Sequence, residues 1–426
     1  MKNTAEHVIV RMYNVGFGDS FLLFIPTPEG TRKILFDCGV HFQSKKPRPI
    51  QEVAQQIVDD ARDEDGVSRI DVIVVTHRHQ DHVKGFESSA WNEVEVKEVW
   101  MPWTENPKDK MGREILEKQS GNAKTLHSTV QRLLAAAAAS DEDQQKLRRM
   151  EGLAMNSLTN EKAMTMVHEG FAGKPRRVFL PFEKREENTF TRDFLPGVKI
   201  HAMGPSRDPE VIRDMDPPAE ETYRHLAFAL GGEAVESHMP FRSLWTLDEV
   251  GYLAAGGAEP LSEKDKEKLH TMSDEDSWGL AVALEKAVNG TSLLLMLQIG
   301  DAYLLFPGDA QWGTWNSAMM DKEWRRLLSK TTFYKIGHHG SHNATPKSFV
   351  SKLLPENFWA MACTGPTANW TDTIPLPNLM SDLRSHSPKV VRSDKDDDPA
   401  AEQHFTREQH GYFVDAKIPI YSDSDA

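Results

Sequence analysis

The run Thr76-His77-Arg78-His79-Gln80-Asp81-His82 gathers three imidazoles and a carboxylate into six residues. Imidazole nitrogen and carboxylate oxygen are preferred zinc donors, and a catalytic zinc keeps one position open for water. An extended strand followed by a tight loop can turn His77 and His79 toward one point, since alternate side chains share a side. Asp81 and His82 can then turn toward a second point close by, an arrangement that suits two metals. Asp309 closes the run Leu304-Leu305-Phe306-Pro307-Gly308 in a similar way, and His338-His339 follow the run Phe333 to Ile336. The candidate ligands are therefore His77, His79, Asp81, His82, Asp309, His338 and His339. The expected cofactor is a pair of divalent ions, zinc before manganese or iron, because a His/Asp set accepts all three.

These residues need strands to hold them. Ile70 to Val75 is a short, nearly continuous apolar run, which is the pattern of a strand buried on both faces. Strands are expected at His7 to Asn14, Phe21 to Ile25, Lys33 to Phe36, Val96 to Met101, Arg177 to Pro181 and Val198 to Met203. Further strands are expected at Leu280 to Leu284, Leu293 to Ile299, Tyr303 to Phe306, Phe333 to Ile336 and Phe358 to Cys363. Helical spacing marks Ile50 to Arg62, Trp312 to Leu328 and Pro346 to Leu353. All three ligand clusters fall at the carboxyl ends of expected strands, where sites assemble in α/β sheets. Residues 106–171 read as a helical insertion, and 206–276 as an insertion of loops and short helices. The ligands span 77 to 339, so residues 1–426 read as a single domain carrying both insertions.

Composition narrows the function classes. The chain has 426 residues with 50 basic and 64 acidic side chains, a formal net charge of −14. That balance argues against gripping nucleic acid through a broad basic surface. The basic stretches Arg148-Arg149, Lys174 to Arg177 and Arg325-Arg326 are short and read as solvated. Trp100, Trp103, Trp312 and Trp315 could stack on a base, but core packing explains most of them. Cys38 and Cys363 cannot form a disulfide framework and read as buried thiols. No secretory leader and no apolar stretch of membrane-spanning length is visible, so the expected setting is cytoplasmic, with no membrane partner.

The motifs resemble those of the metallo-β-lactamase superfamily. Thr76 to Gly85, THRHQDHVKG, is similar to its THxHxDHxGG signature. The resemblance is closer to the ComEC-type branch, the hydrolase domain of that competence protein and its soluble relatives. Asn14 to Ser20 resembles the DVGQGDA opening of that branch, and Ile34 to Gly39 its ILIDAG strand. Ser277 to Leu284 occupies the place of its NxxSLVL strand. Leu304 to Ala310 resembles LLTGD, and Lys335 to Thr345 resembles KVGHHGSxxST. Phe358 to Gly365 and Asn369 look like its later strand and asparagine. The resemblance implies an αββα sandwich, an α/β fold with helical insertions here. It implies that His77 and His79 bind a first metal, that Asp81, His82 and either His338 or His339 bind a second, and that Asp309 bridges them.

Two departures stand out. The superfamily usually supplies another histidine between the first motif and the bridging aspartate. Here that interval holds His127, His168, His201, His225, His238 and His270, none in a matching context, and His201 reads as a packed or surface residue. Ile374-Pro375 stands where the branch commonly has His-Pro.

The function expected is a hydrolase that uses a metal-bound hydroxide on a phosphodiester, either nucleic acid or a smaller ester. Hydrolysis of a lactone, thioester or amide is one alternative, and a metal-binding regulatory protein without turnover is another. Asp81 is expected to orient the nucleophile and take its proton. His342 joins it as a catalytic candidate, and Ser341 and Thr345 as substrate-binding candidates, through hydrogen bonds to a leaving group or phosphate oxygen. Ser341 and Thr345 are equally good caps for the helix starting near Pro346. Lys335 reads as structural or surface-facing. The partners expected are an anionic substrate and a protein bound through the insertions.

Overall fold

The protein is described from a computed structural model, covering residues 6–45, 48–136, 141–158, 160–223, 286–343, 345–367, 374–394 and 403–420. The expected strand 280–284, the segment 277–284 likened to NxxSLVL, Asn369, and most of the insertion 206–276 lie outside the described residues. The chain divides into two compact units. One comprises Met1–Trp103, Asn160–Tyr223 and Asn289–Ala426, the other Thr104–Thr159 and Arg224–Val288.

The first unit is an α/β fold built on two mixed sheets. One runs β14-β15-β1-β2-β3-β4-β5-β6 across its width. Its strands are β1 (Glu6–Tyr13), β2 (Phe21–Ile25), β3 (Arg32–Phe36), β4 (Arg69–Val74), β5 (Glu95–Pro102), β6 (Arg176–Leu180), β14 (Phe405–Arg407) and β15 (Phe413–Ile420). The other runs β13-β12-β11-β10-β9-β8-β7. It is made of β7 (Thr189–Thr191), β8 (Val198–Gly204), β9 (Leu294–Ile299), β10 (Ala302–Phe306), β11 (Phe333–Lys335), β12 (Trp359–Ala362) and β13 (Val390–Arg392). Strands β3 and β4 pair in parallel, as do β10 and β11.

One apolar cluster takes side chains from both sheets, including Val72 and Val74 of β4 and Leu304 and Phe306 of β10. Phe36 of β3 stacks on Phe306 of β10 with ring centroids 3.9 Å apart, so the two strand ends that lead into the site share one aromatic floor. Helix α1 (Ile50–Asp60) adds Ile50, Val53, Ala54, Ile57 and Val58 to this cluster, which is the amphipathic stripe its spacing predicts. Helix α2 is the short turn Gln80–Val83 after β4.

In the second unit, α3 (Lys110–Ala136) and α4 (Asp141–Leu158) pack on each other, and Leu126, Val130, Met150 and Leu153 are among their buried residues. Gln119 donates to the Ala287 carbonyl at 3.0 Å. The helical insertion expected over 106–171 is shorter than its pattern suggested. Helix α5 (Glu161–Glu169) belongs to the first unit, because Ala163, Met164 and Val167 are buried in its main core. Residues 206–223, with α6 (Pro209–Arg213), also belong to the first unit.

The expected helix 312–328 is two helices, α7 (Trp312–Met320) and α8 (Lys322–Leu328). Asp321 breaks it by accepting from the Glu323 and Trp324 amides, both at 2.9 Å, an N-cap that the helical spacing does not reveal. Helices α9 (Lys347–Lys352) and α10 (Pro377–His386) follow in the first unit. The outer face of the second sheet carries its own apolar cluster, which includes Trp315, Trp324, Phe349 and Leu379. No helix of the described residues is long and apolar enough to cross a membrane.

Candidate metal centre

The site forms where β3, β4, β10 and β11 end. Strand β4 delivers Thr76, His77, His79, Asp81 and His82, β10 delivers Asp309, and β11 delivers Lys335, His338 and His339. Glycine allows the loops to close together. A side chain at Gly39 would overlap the Asp81 carbonyl carbon and the His82 nitrogen. The backbone stitches the same loops: Asp19 N donates to Asp81 O at 2.9 Å, Gly39 N to Asp19 O at 3.0 Å and Cys38 N to His82 O at 2.8 Å.

The hydrogen bonds assign the imidazole tautomers. Asp37 accepts from Thr76 N at 2.8 Å and Thr76 Oγ1 at 2.7 Å, and it faces His82 Nδ1 at 2.8 Å. His82 therefore carries a proton on Nδ1. Thr76 has given its only hydroxyl proton to Asp37, so it accepts from His77 Nδ1 at 3.2 Å. His339 Nδ1 donates to the Cys363 carbonyl at 2.9 Å. Neutral imidazoles held this way present bare Nε2 atoms on the opposite edge.

Those edges converge. His82 Nε2 lies 3.2 Å from Asp309 Oδ2, and His339 Nε2 lies 3.2 Å from Asp81 Oδ2. His77 Nε2 is 3.1 Å from His79 Nδ1 and 4.0 Å from Asp309 Oδ2. With His82 and His339 neutral, a nitrogen lone pair faces a carboxylate in a dry interior, since all five of these side chains and Asp81 are buried. A proton on each imidazole, or a cation between the groups, resolves that conflict. Asp81 Oδ1 is also buried with no hydrogen-bond partner among the described residues.

Asp81, His82, Asp309 and His339 offer ligand atoms within 4.8 Å of one another, and Asp19, Asp37 and His82 form a second such group. Either could hold a metal ion. The structure thus separates the two adjacent histidines. His339 joins Asp81, while His338 Nε2 lies 3.8 Å from Asp309 Oδ2.

Electrostatics follow from this crowding. Burial lowers the His82 imidazole, but Asp309 and Asp37 outweigh it and hold its pKa well above the usual range. His339 is raised by Asp19 and Asp81 against the same burial. Burial pushes the Asp81 and Asp309 carboxyls up, but His339 and His82 respectively overcome it and hold both well below the carboxylate range. Burial, then His82 and His79, push His77 well below the usual imidazole range. The pocket draws positive charge toward its carboxylates.

Several participants are not evident in the sequence reading. Lys335 is buried rather than surface-facing. Its ammonium pairs with Asp19, stands 3.6 Å from Asp309 Oδ1 and donates to Gly308 O at 3.3 Å. Asp37 and Thr76 orient two ligands, and Asn160 Nδ2 donates to Arg78 O at 2.6 Å, pinning the loop between the first two histidines. His41 is buried beside Phe17, which packs 4.3 Å from His339 between ring centroids. The aspartates lie within motifs quoted for the family resemblance, but a single aspartate or lysine at a strand end is too common to stand out.

Other candidates have different tasks. Ser341 is buried, with its hydroxyl between His338 Nδ1 at 2.8 Å and Asn343 Oδ1 at 2.6 Å, so it orients a histidine. Thr345 is buried against Tyr334 OH at 2.7 Å. Neither side chain caps α9, whose N-cap is Pro346. His342 is half-buried, its carbonyl accepts from Thr222 at 3.1 Å, and it is not in either ligand group. His201 is buried on β8 beside Thr189 Oγ1 at 3.1 Å, and His168 stacks near Phe179. His127 lies on α3 of the second unit, and His225, His238 and His270 lie outside the described residues. Trp100, Trp103 and Trp315 are fully buried and not available for stacking on a base.

Comparison with protein-family models and with curated proteins finds no match to this chain in either.

Proposed function

We propose that this protein is a metal-dependent hydrolase of the metallo-β-lactamase superfamily, in its ComEC-type soluble branch, that acts on a phosphodiester. The observation that carries the reading is the set of bare Nε2 atoms on His77, His82 and His339. Each is locked from behind by a hydrogen bond and faces the carboxylates of Asp81 and Asp309.

Formal charge supports a pair of divalent ions, zinc before manganese or iron. Asp19, Asp37, Asp81 and Asp309 bring four negative charges and Lys335 one positive, which leaves three negative charges in the buried site. Two divalent cations would turn that into a single positive charge, enough to hold one anionic group. One cation would leave the site negative. Such ions, when bound, lower the pKa of water to roughly 7 and stabilise charge on the group attacked.

The chain's own residues do the rest. Asp37 holds His82, the Cys363 carbonyl holds His339, and Thr76 holds His77, so the ligands are set before a substrate arrives. Asp81 keeps one oxygen toward His339 and leaves Oδ1 without a partner, placed to take a proton. Lys335 fixes Asp309 from the side away from the imidazoles.

Protein loaded with zinc or manganese is expected to hydrolyse a bis-aryl phosphate, and Asp81→Ala to lose at least about 100-fold in turnover. A chain that binds neither metal and stays inert after loading would sink the reading. Turnover of a lactone or thioester with none of the diester would move it to another bond.

A further inference from the structure

We infer that Phe42 is a platform on which the site stacks a planar ring carried by its substrate, so that the diester it takes bears an aryl group or a nucleobase. The inference rests on the hydrolase reading above and names the substrate class of that same site.

Singly exposed apolar side chains are ordinary on a protein surface, so exposure alone says little. Among the described residues, the exposed large apolar side chains are Phe42, at 48%, and Met320. The surroundings of Phe42 set it apart. Its backbone amide donates to Gln80 Oε1 at 3.2 Å, and Gln80 stands between His79 and Asp81 in the chain. Its ring ends a ladder of rings that starts at a candidate ligand. His339 packs on Phe17 with centroids 4.3 Å apart and Phe17 on His41 at 5.9 Å. His41 then packs on Phe42 at 4.7 Å, with planes tilted by 33°. His339, Phe17 and His41 are buried and Phe42 is exposed, so the ladder runs from the candidate ligand to solvent. The exposed surface of Phe42 is where a further ring would continue it.

The loop holds that ring ready. His41 N donates to Phe17 O at 2.7 Å, and Phe17 N donates back to Ser44 Oγ at 2.9 Å. Gln43 N donates to His41 Nδ1 at 3.2 Å, Ser44 N to His41 O at 2.9 Å and Lys45 N to Pro366 O at 2.7 Å. Every backbone amide from His41 to Lys45 is thus engaged, so little ordering of the loop remains to oppose binding. A phenyl ring has no hydrogen-bonding group and accepts any π-face, whichever base or aryl group presents it. Trp100, Trp103 and Trp315 are buried, and the stacking role falls to Phe42.

The test is equilibrium binding, by calorimetry, to the zinc-loaded full chain. The probes are product-like phosphate monoesters that differ in the arm they carry: adenosine 5′-monophosphate, phenyl phosphate and ribose 5-phosphate. Wild-type protein is expected to bind the ring-bearing monoesters about 5- to 150-fold more tightly than ribose 5-phosphate. Phe42→Ala is expected to erase that preference and Phe42→Trp to keep it, with melting of each variant as the fold control. A preference for the nucleotide alone would support the inference and narrow the ring to a nucleobase, and a preference for both would support it for any aryl group. If Phe42→Ala fails to fold, Phe42→Leu, which keeps apolar bulk without a ring, decides in its place. Equal binding of the probes by the wild type, or a preference that survives loss of the ring, would overturn the inference and leave the hydrolase reading standing. A zinc-loaded chain that binds none of the probes would overturn both.

Discussion

At the scale of single residues, the candidate ligands are held from behind by hydrogen bonds. Asp37 takes three hydrogen bonds, and one of them fixes the His82 tautomer. Asp37→Asn keeps the shape but can turn an amide proton toward His82, so metal affinity is expected to fall about 10- to 100-fold in a chelator titration. Unchanged affinity would mean that the backbone alone aims His82. The cysteines make a second prediction. Burial raises both thiols above their usual range, with Cys38 against Gly85 and Cys363 against the Tyr13 carbonyl. Thiolate is the reactive form. Native protein at pH 8 is therefore expected to resist a thiol-labelling disulfide reagent, and unfolded protein to react at both cysteines. Rapid native labelling would show that these loops open. The buried His/Asp cluster was legible because clustered histidine is rare and chemically specific. Lys335 was not, because a lysine beside a strand end has no sequence mark that separates a solvated ammonium from one buried between Asp19 and Asp309.

At the scale of elements, strands that are buried on both faces announce themselves as apolar runs, and Phe21–Ile25 has the expected bounds. The neighbouring strands β3 and β4 differ from expectation by about one residue at their ends, the ordinary uncertainty of such boundaries. Helix ends set by a local cap were less visible, as Asp321 shows. Helix α5 looked like part of an insertion because its composition is polar, while Ala163, Met164 and Val167, with Met166 beside them, tie it to the main core. The packing of loop on loop was hidden altogether, since it depends on what a glycine approaches in space. Gly39 is the clearest case. Gly39→Ala would force the β3 loop off the Asp81–His82 peptide, with an expected cost of about 1–3 kcal/mol in denaturant unfolding. Metal should be lost more readily as well, because the displaced peptide carries two ligands. A stable Gly39→Ala protein with full metal content would show that the two loops are not tightly coupled.

At the scale of the molecule, the candidate ligands 77 and 339 lie within one unit, and the surplus length falls into the other. Among the described residues, neither apolar cluster includes one from 104–159 or 224–288. The first unit thus holds its own core, and replacing both segments by short flexible linkers is expected to leave a cooperative unfolding transition and full metal binding. Loss of either would mean that the second unit is needed for the fold.

The charge of the chain gives the last prediction. A net charge of −14 repels a long polyanion, while the metal-loaded site would offer one positive charge at short range. Repulsion between separated surface charges is screened as the Debye length falls from about 30 Å at 0.01 M salt to about 10 Å at 0.1 M. Attraction inside a buried site is screened far less. For a single-stranded oligonucleotide, kcat/KM is therefore expected to rise over that range of salt, whereas a small monoanionic diester changes little. A basic nuclease shows the opposite slope, because salt competes with its phosphate contacts. A steep fall with salt for the oligonucleotide would show that a local basic face governs encounter, and the acidity of the whole chain would then say nothing about its substrate.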